Sequence, residues 1–510
     1  LSDIKLINGS GDELIVYASG MPVALFGKVF GKGLYILGQI LLARFLGPGI
    51  FGLYAVALSI FSFFNGLLPF GLDNGVIHFA SQSSGVMDGR FKSAVLQAVF
   101  LASLFGLFGG GILFLAAPWL ANNLFEKPEL LPLIYWFAAA LPFSGVLSVL
   151  SATTRISRRI KYTLFAQDVG QPAVQLALML IFYFAGFGLA GLSAASAFSY
   201  GLAVGLSAYF VWGLFGRALL APSKQMVKYW EYFKFSFSSA LASIFSLGLV
   251  LTGRLLVGYF CPSSDAGIYQ AASQIAALFP VILSGINALV IPMISGLSRS
   301  RDVQKLEALF RVSTKWSLYL NLPLLLIAIF APDEIMRVTF GQAYAAGAWA
   351  LGILTISQVV NAATGPVGSL LIMTNHPREW AVLSGCTVAF ELGLGVFLTH
   401  LMGLNGAAIA VSLATAFLYS AGMLLTRKVL HIWPYDRRFS KLMVASFLSA
   451  AILLAGRVTQ LLTTFYGLCL MSILTVAVFA LWIYLQGLDE EDRQLLEHLK
   501  KRLGFSRSPG

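Results

Sequence analysis

Of 510 residues, 58% are hydrophobic and only 11% are charged, whereas soluble chains carry about a quarter charged residues. So long a chain with so few charges reads as a polytopic all-α membrane protein and excludes a soluble enzyme. The net charge of +12 does not argue for nucleic acid, because the basic residues lie between apolar runs and form no single patch. Cys261, Cys386 and Cys469 are far apart and the five histidines are scattered, so neither a disulfide framework nor a metal site is indicated.

Residues 1–22 hold Asp3, Asp12 and Glu13, with no basic run feeding an apolar core. They read as a cytoplasmic lead-in and not as a signal peptide. A membrane-crossing helix needs about 20 apolar residues. The spacing predicts spans at 23–46, 50–77, 93–117, 130–151, 163–185, 188–214, 236–259, 266–296, 313–331, 346–372, 380–400, 404–426, 440–460 and 464–486, about 14 transmembrane helices in all. Loops after the even-numbered spans carry Arg90 and Lys92, Arg155 to Lys161, Arg217 to Lys234, Arg299 to Lys315, Arg378, and Arg427 to Lys441. The alternate loops hold only Lys127, Arg337 and Arg457. The even loops, and with them both termini, are therefore expected on the cytoplasmic side of the cell membrane.

The first two spans meet at a tight turn, Gly47-Pro48-Gly49, and a blurred copy of this hairpin returns as RLLVGYFCPSSDAGIYQAA. Gly52, Tyr54, Gly188, Gly191 and Ala195 match Gly267, Tyr269, Gly403, Gly406 and Ala410 at one constant offset of 215. The spans thus divide into two parallel six-helix repeats, 23–214 and 236–426, with a cytoplasmic linker at 215–235 and two appended helices at 440–486. A central cleft and alternating access are the natural use of such a pair. Residues 487–510 place Leu488, Leu495, Leu496, Leu499 and Leu503 near one helical face, an amphipathic cytoplasmic tail.

Charges inside a bilayer cost about 2.5–3.5 kcal/mol each on insertion scales and need a reason. Lys28 and Lys32 share a face of span 1, Arg44 lies near its outer end, and Arg254 lies deep in span 7. Cations at several depths around a cleft suit an anionic headgroup; the alternative reading is that Lys28 and Arg44 snorkel to the interfaces. Glu391 at the middle of span 11, Asp168 in span 5 and Asp73 in span 2 are candidate coupling sites for a cation or proton, or else structural partners of a basic residue. The pairs Gly27/Gly31, Gly106/Gly110 and Gly201/Gly205 fit close helix packing. The prolines at 172, 280, 292, 323 and 366 suggest kinks.

The segments LARFLGPGIFGLYAVALSIFSFF and TGRLLVGYFCPSSDAGIYQAA, the basic turn SRRIKYTLF and the 6+6+2 layout resemble the polysaccharide-type flippases of the multidrug/oligosaccharidyl-lipid/polysaccharide exporter superfamily. Asp73-Asn74 departs from the small or hydroxyl residues that the family pattern leads one to expect there. The resemblance implies translocation of a polyprenyl-pyrophosphate-linked oligosaccharide, for which Lys28, Lys32, Arg44 and Arg254, singled out by their place in the spans, are the candidate pyrophosphate contacts. It implies no cofactor beyond a coupling cation, Na+ or H+, and no catalytic residue. The implied partners are the lipid-linked oligosaccharide, membrane lipids and other polysaccharide-assembly membrane proteins. A cation-coupled exporter of small amphiphiles, of multidrug or major-facilitator type, and a membrane-embedded glycan polymerase or ligase remain the alternatives. The short outer loops argue against the last.

Overall fold

The computed structural model describes residues 11–67, 71–81, 89–156, 160–220, 245, 247–300, 302–436 and 439–486. Within these the chain is helical throughout, with no strand. In chain order the helices are α1 (Gly11–Leu67), α2 (Leu72–Ser81), α3 (Gly89–Trp119), α4 (Leu130–Ile156), α5 (Ile160–Thr163), α6 (Gly170–Phe184), α7 (Gly188–Leu220) and α8 (Leu247–Phe260). They continue as α9 (Ser263–Ala276), α10 (Phe279–Ser300), α11 (Val303–Phe330), α12 (Pro332–Phe340), α13 (Ala348–Thr364), α14 (Val367–Met373), α15 (Pro377–Leu430), α16 (Phe439–Val458) and α17 (Phe465–Leu485). Among the described residues, eleven helical stretches are long and apolar enough to cross a membrane, and α8 is a shorter apolar helix. The expected tail at 487–510, most of the linker and the start of the lead-in lie outside the described residues.

Two of the long helices are broken hairpins. α1 bends at Gly47 (φ 73°, ψ 171°) and α15 at Gly403 (φ 59°, ψ −138°), positions where a side chain would be strained and glycine is not. Gly188, the repeat mate of Gly403, takes φ 60° as well. Span 2 is less regular than its apolarity suggested: Gly71, at φ 70°, interrupts it, and Asp73 falls in the first turn of α2 instead of inside a continuous helix. Span 9 starts earlier than expected. Asp302 caps α11 by accepting a hydrogen bond from the Lys305 N–H (3.1 Å), so Lys305, Arg311 and Lys315 belong to a helix and not to a loop. Span 10 is split at Gly365 (φ 60°) and Pro366 into α13 and α14.

Contacts divide the chain into two compact units. The first holds residues 1–270 and 392–407; the second holds 271–391 and 408–510. In the first, α4 packs against α3 and α7, and α6 packs against α7, around a core that includes Phe91, Ala98, Val149 and Phe215. In the second, α11 packs against α10, α13 and α16, around Leu318, Leu325, Ala362 and Phe479. Lipid gives no hydrophobic drive between helices, so close packing has to hold them. Gly106 and Gly110 let α3 lie on Pro142 and Ala138 of α4, as the small-residue spacing predicts. Among the described residues nothing approaches Gly201 or Gly205, so no such contact is seen there. Apolar side chains also cover the outside: Leu115 is 80% exposed and Phe447 is 75% exposed.

The first unit includes α8 and the start of α9 for a visible reason. A Cβ on Gly52 would collide with the Ser263 carbonyl, and a Cβ on Gly267 would collide with the Pro48 carbonyl. Gly52 and Pro48 are the repeat mates of Gly267 and Ser263, so the contact is reciprocal. The two turns thus meet glycine on glycine in a locally two-fold arrangement. Lys127, in the α3–α4 connection, adds to the junction by donating to the carbonyl oxygens of Gly258 and Cys261 (2.9 Å for Cys261) at the C-terminal end of α8. A cation there opposes the negative end of the helix dipole.

Candidate functional site

A polar cavity of about 420 Å³ opens within the first unit, lined by Lys32 and Tyr35 of α1, Ser144 of α4, Asp168, Gln171 of α6 and Tyr200 of α7. Local sequence explains its shape. Residues Leu164–Asp168 form a π turn closed by the Val169 N–H donating to the Leu164 carbonyl (2.8 Å). This inserts one extra residue and re-aims the chain just ahead of α6, as π bulges do at functional sites. Pro172, four residues on, has no N–H to give the Asp168 carbonyl. Gly31 lies directly against that carbonyl, where a Cβ would collide with it, and Gly27 lies against Leu164. The Gly27/Gly31 pair is therefore a packing device, as expected, and its effect is to bring Lys32 of α1 and Asp168 to the same cavity.

Lys32 Nζ lies 5.2 Å from the centroid of the Tyr35 ring, a cation–π contact. Arg254 of α8 is close enough to interact electrostatically with Lys32, Tyr35 and Tyr269. Its Nε is buried and has no hydrogen-bond partner among the described residues. Two cations in a low-dielectric setting repel each other, and an anion placed between them relieves that repulsion. Asp168 lines the same cavity as Lys32 and supplies a carboxyl group there.

One wall is fixed by a hydrogen-bonded network. Gln171 Nε2 donates to Gln175 Oε1 (3.0 Å) and to Ser199 Oγ (3.1 Å). Gln175 Nε2 donates to Ser196 Oγ (2.9 Å) and to Tyr54 OH (3.4 Å). Satisfied buried networks of this kind hold one arrangement. The wall of the cavity is thus preorganised from α1, α6 and α7.

The sequence-expected residues separate clearly in space. Lys32, Asp168 and Arg254 come together. Arg44 does not join them; it is exposed, three residues before the Gly47 bend. Asp73 sits in the first turn of α2, partly buried, away from the cavity lining. Lys28 is on α1, and its side chain lies outside the described residues. Glu391 is 1% exposed on α15, with neither carboxylate oxygen hydrogen-bonded among the described residues. It shares its buried helix face with Ser384, Thr387 and Thr399. Sequence reasoning passed over Tyr35, Asn65, Ser144, Ser148, Gln171 and Tyr200, whose signal was only a polar group inside an apolar span. It also took Lys315 for a loop charge; Lys315 is 2% exposed, inside α11, with Nζ 5.8 Å from the Tyr319 ring centroid.

Helices of membrane-crossing length that enclose a polar cavity define a polytopic membrane protein. Residues 41–348 match the family model described as polysaccharide biosynthesis protein, which is more than half of the chain. The chain belongs to that family. It is 26% identical over 411 residues to a Haloferax volcanii protein named "Probable low-salt glycan biosynthesis flippase Agl15", covering 76% of this chain and 79% of that one. A Shigella flexneri protein named for O-antigen transport is 22% identical over 397 residues, covering 76% of this chain and 92% of its own. The fold is similar to that of the lipid II flippase MurJ in an inward closed conformation, with a TM-score of 0.72 at 15% identity over 91% of this chain and 99% of that one. It is also similar to an inward-facing multidrug resistance transporter of the MATE family, with a TM-score of 0.66 at 16% identity over 78% of this chain and 94% of that one.

Proposed function

We propose that this protein is a flippase for a polyprenyl-pyrophosphate-linked oligosaccharide, moving the precursor across the cytoplasmic membrane by alternating access, with both termini on the cytoplasmic side. The observation that carries this reading is Lys32 in the lining of the polar cavity of the first unit, with the Arg254 guanidinium near enough to act on it electrostatically. Arg offers a planar fork of donors to phosphate oxygens, and Lys a compact charge. Tyr35, Asn65, Gln167 and Tyr200 offer the hydrogen bonds that a sugar or phosphate oxygen needs. The polyprenyl tail stays in lipid, so only the headgroup has to be desolvated.

No bond is made or broken in this scheme, and no group in it acts as a catalyst. Asp168, within the cavity, and Glu391, buried on α15, are the acids through which Na+ or H+ would bias the cycle. Arg44 and Lys28 serve as further phosphate contacts on the path to and from the cavity. Other membrane proteins of polysaccharide assembly would supply and consume the precursor.

The test is reconstitution of the purified chain into liposomes with a fluorescently labelled polyprenyl-pyrophosphate oligosaccharide and a membrane-impermeant quencher. Protein-dependent movement of intact label between leaflets supports the reading. Formation of a new glycosidic bond would make the protein a polymerase or ligase. Ion-driven export of a small amphiphile with no movement of the labelled lipid would make it a multidrug-type exporter.

A further inference from the structure

α15 folds back on itself at Gly403, so its two ends, near Arg378 and Lys428, lie on the same side of the membrane. The distribution of Lys and Arg assigns that side to the cytoplasm. Between the two limbs, on the face turned away from the protein, runs a groove of about 720 Å³. Its apolar lining includes Val382, Cys386, Ala421 and Leu424. The small side chains of Cys386 and Ala421 leave the depth, and the ring pair Phe390–Phe417, with centroids 5.7 Å apart, closes the far end. From Arg378 to Phe390 is about 18 Å at 1.5 Å per residue, or about one leaflet of a 30 Å hydrocarbon core.

The opposite face of the hairpin is occupied by protein. Trp380 sits against Gly422 and Gly368, where a Cβ would approach its ring to 2.8 Å and 2.7 Å respectively. This wedge fixes the two limbs and hence the width of the groove. At the mouth stand Arg378 and Lys428, both exposed, and neither forms a salt bridge among the described residues. Glu379 also lines the groove and interacts electrostatically with Arg378, but its carboxylate is turned to His376, with Nδ1–Oε1 at 3.4 Å, so one acid stands against the two cations.

We infer that this groove is a binding site for an anionic phospholipid of the cytoplasmic leaflet, one acyl chain between the limbs of α15 and the phosphate between Arg378 and Lys428. Charge and length together select this occupant. A zwitterionic lipid brings its own cation to a mouth whose two cations already outnumber its one acid, Glu379. A polyprenyl chain is longer than a groove that the phenylalanine pair closes after one leaflet. The inference is independent of the flippase reading, since it uses no residue of the polar cavity.

Cys386 lies in the groove and is exposed, and Cys469 is exposed on α17, so the protein carries both a reporter and a reference thiol. The experiment measures the labelling rate of each by a lipid-soluble maleimide in the full-length protein, in nanodiscs of phosphatidylcholine alone or with added phosphatidylglycerol. Phosphatidylglycerol should slow Cys386 about tenfold, since a site filled nine-tenths of the time leaves the thiol free for one-tenth, and should leave Cys469 unchanged. In Arg378→Gln/Lys428→Gln the protection should vanish. Equal Cys386 rates in the two lipids, or protection that survives the double substitution, would overturn the site. So would protection by a polyprenyl pyrophosphate in phosphatidylcholine with none from phosphatidylglycerol.

Discussion

Arg254 is the side chain on which the flippase reading leans hardest. Its Nε is buried without a hydrogen bond among the described residues, and the Lys32 ammonium is near enough to act on it electrostatically. Removing it therefore relieves a local cost and leaves no partner stranded, unlike breaking a buried ion pair. Arg254→Ala should leave expression and thermal stability unchanged while abolishing movement of the labelled lipid-linked oligosaccharide; translocation at the wild-type rate in that variant would remove Arg254 from the site. Arg254→Lys should recover only part of the loss, because a point charge replaces a bidentate fork. Glu391 poses the complementary case, a carboxyl whose two oxygens are buried without a hydrogen bond among the described residues. A charge there is expensive unless a cation or a proton neutralises it. Glu391→Gln keeps the shape and removes the charge. It should leave downhill movement of the labelled lipid intact and abolish its acceleration by an imposed Na+ or H+ gradient. An unchanged gradient response would assign Glu391 a structural role.

Among the elements, the hairpin turns are the most constrained. Gly52 and Gly267 face backbone carbonyls, which cannot swing aside as a side-chain tip can. A methyl at either position has to push two helices apart, and overpacking of this sort costs about 1–3 kcal/mol. Gly52→Ala and Gly267→Ala should each lower the melting temperature in detergent by several degrees. Gly205→Ala is the control within the same molecule: no described residue lies near it, and alanine favours helix over glycine by about 1 kcal/mol. It should be neutral or slightly stabilising. Equal effects at all three positions would mean that the turns do not meet as described. The sequence could not distinguish these glycines. Gly27/Gly31 and Gly201/Gly205 show the same four-residue spacing, yet only the first pair is packed, because spacing marks a face and not what lies opposite it.

For the molecule as a whole, composition and the 215-residue register made the helical membrane architecture and the hairpin breaks at Gly47 and Gly403 readable in advance, because apolar length and glycine backbone freedom are local properties. The cavity was readable only in its charged members. Lys32, Asp168 and Arg254 stand out in apolar spans, whereas Gln171, Tyr35 and Tyr200 gain meaning only when α1, α6 and α7 come together. The start of α11 was misplaced because polarity was equated with loop, whereas this helix runs from a capped polar end at Asp302 into the apolar span, carrying the buried Lys315 with it. The register also pairs Gln39 with Arg254 across the local two-fold relation that the glycine contact defines. The surroundings of the two are not equivalent. Gln39 is 1% exposed, and the void beside it, bordered by Gln175 and Met179, is about 10 Å³, too small for a guanidinium. If charge alone drew the headgroup in, moving the cation from one repeat mate to the other would conserve function. The packing says otherwise, and the exchange Gln39→Arg/Arg254→Gln should remain inactive in the liposome assay even when a lowered growth temperature restores its yield. Wild-type translocation by the exchanged protein would show that the site reads only net charge and that the two repeats are interchangeable. Continued inactivity, with Arg254→Lys partly active, would show that the repeats share a scaffold and have divided the chemistry, as a substrate with one charged end and one lipid end requires.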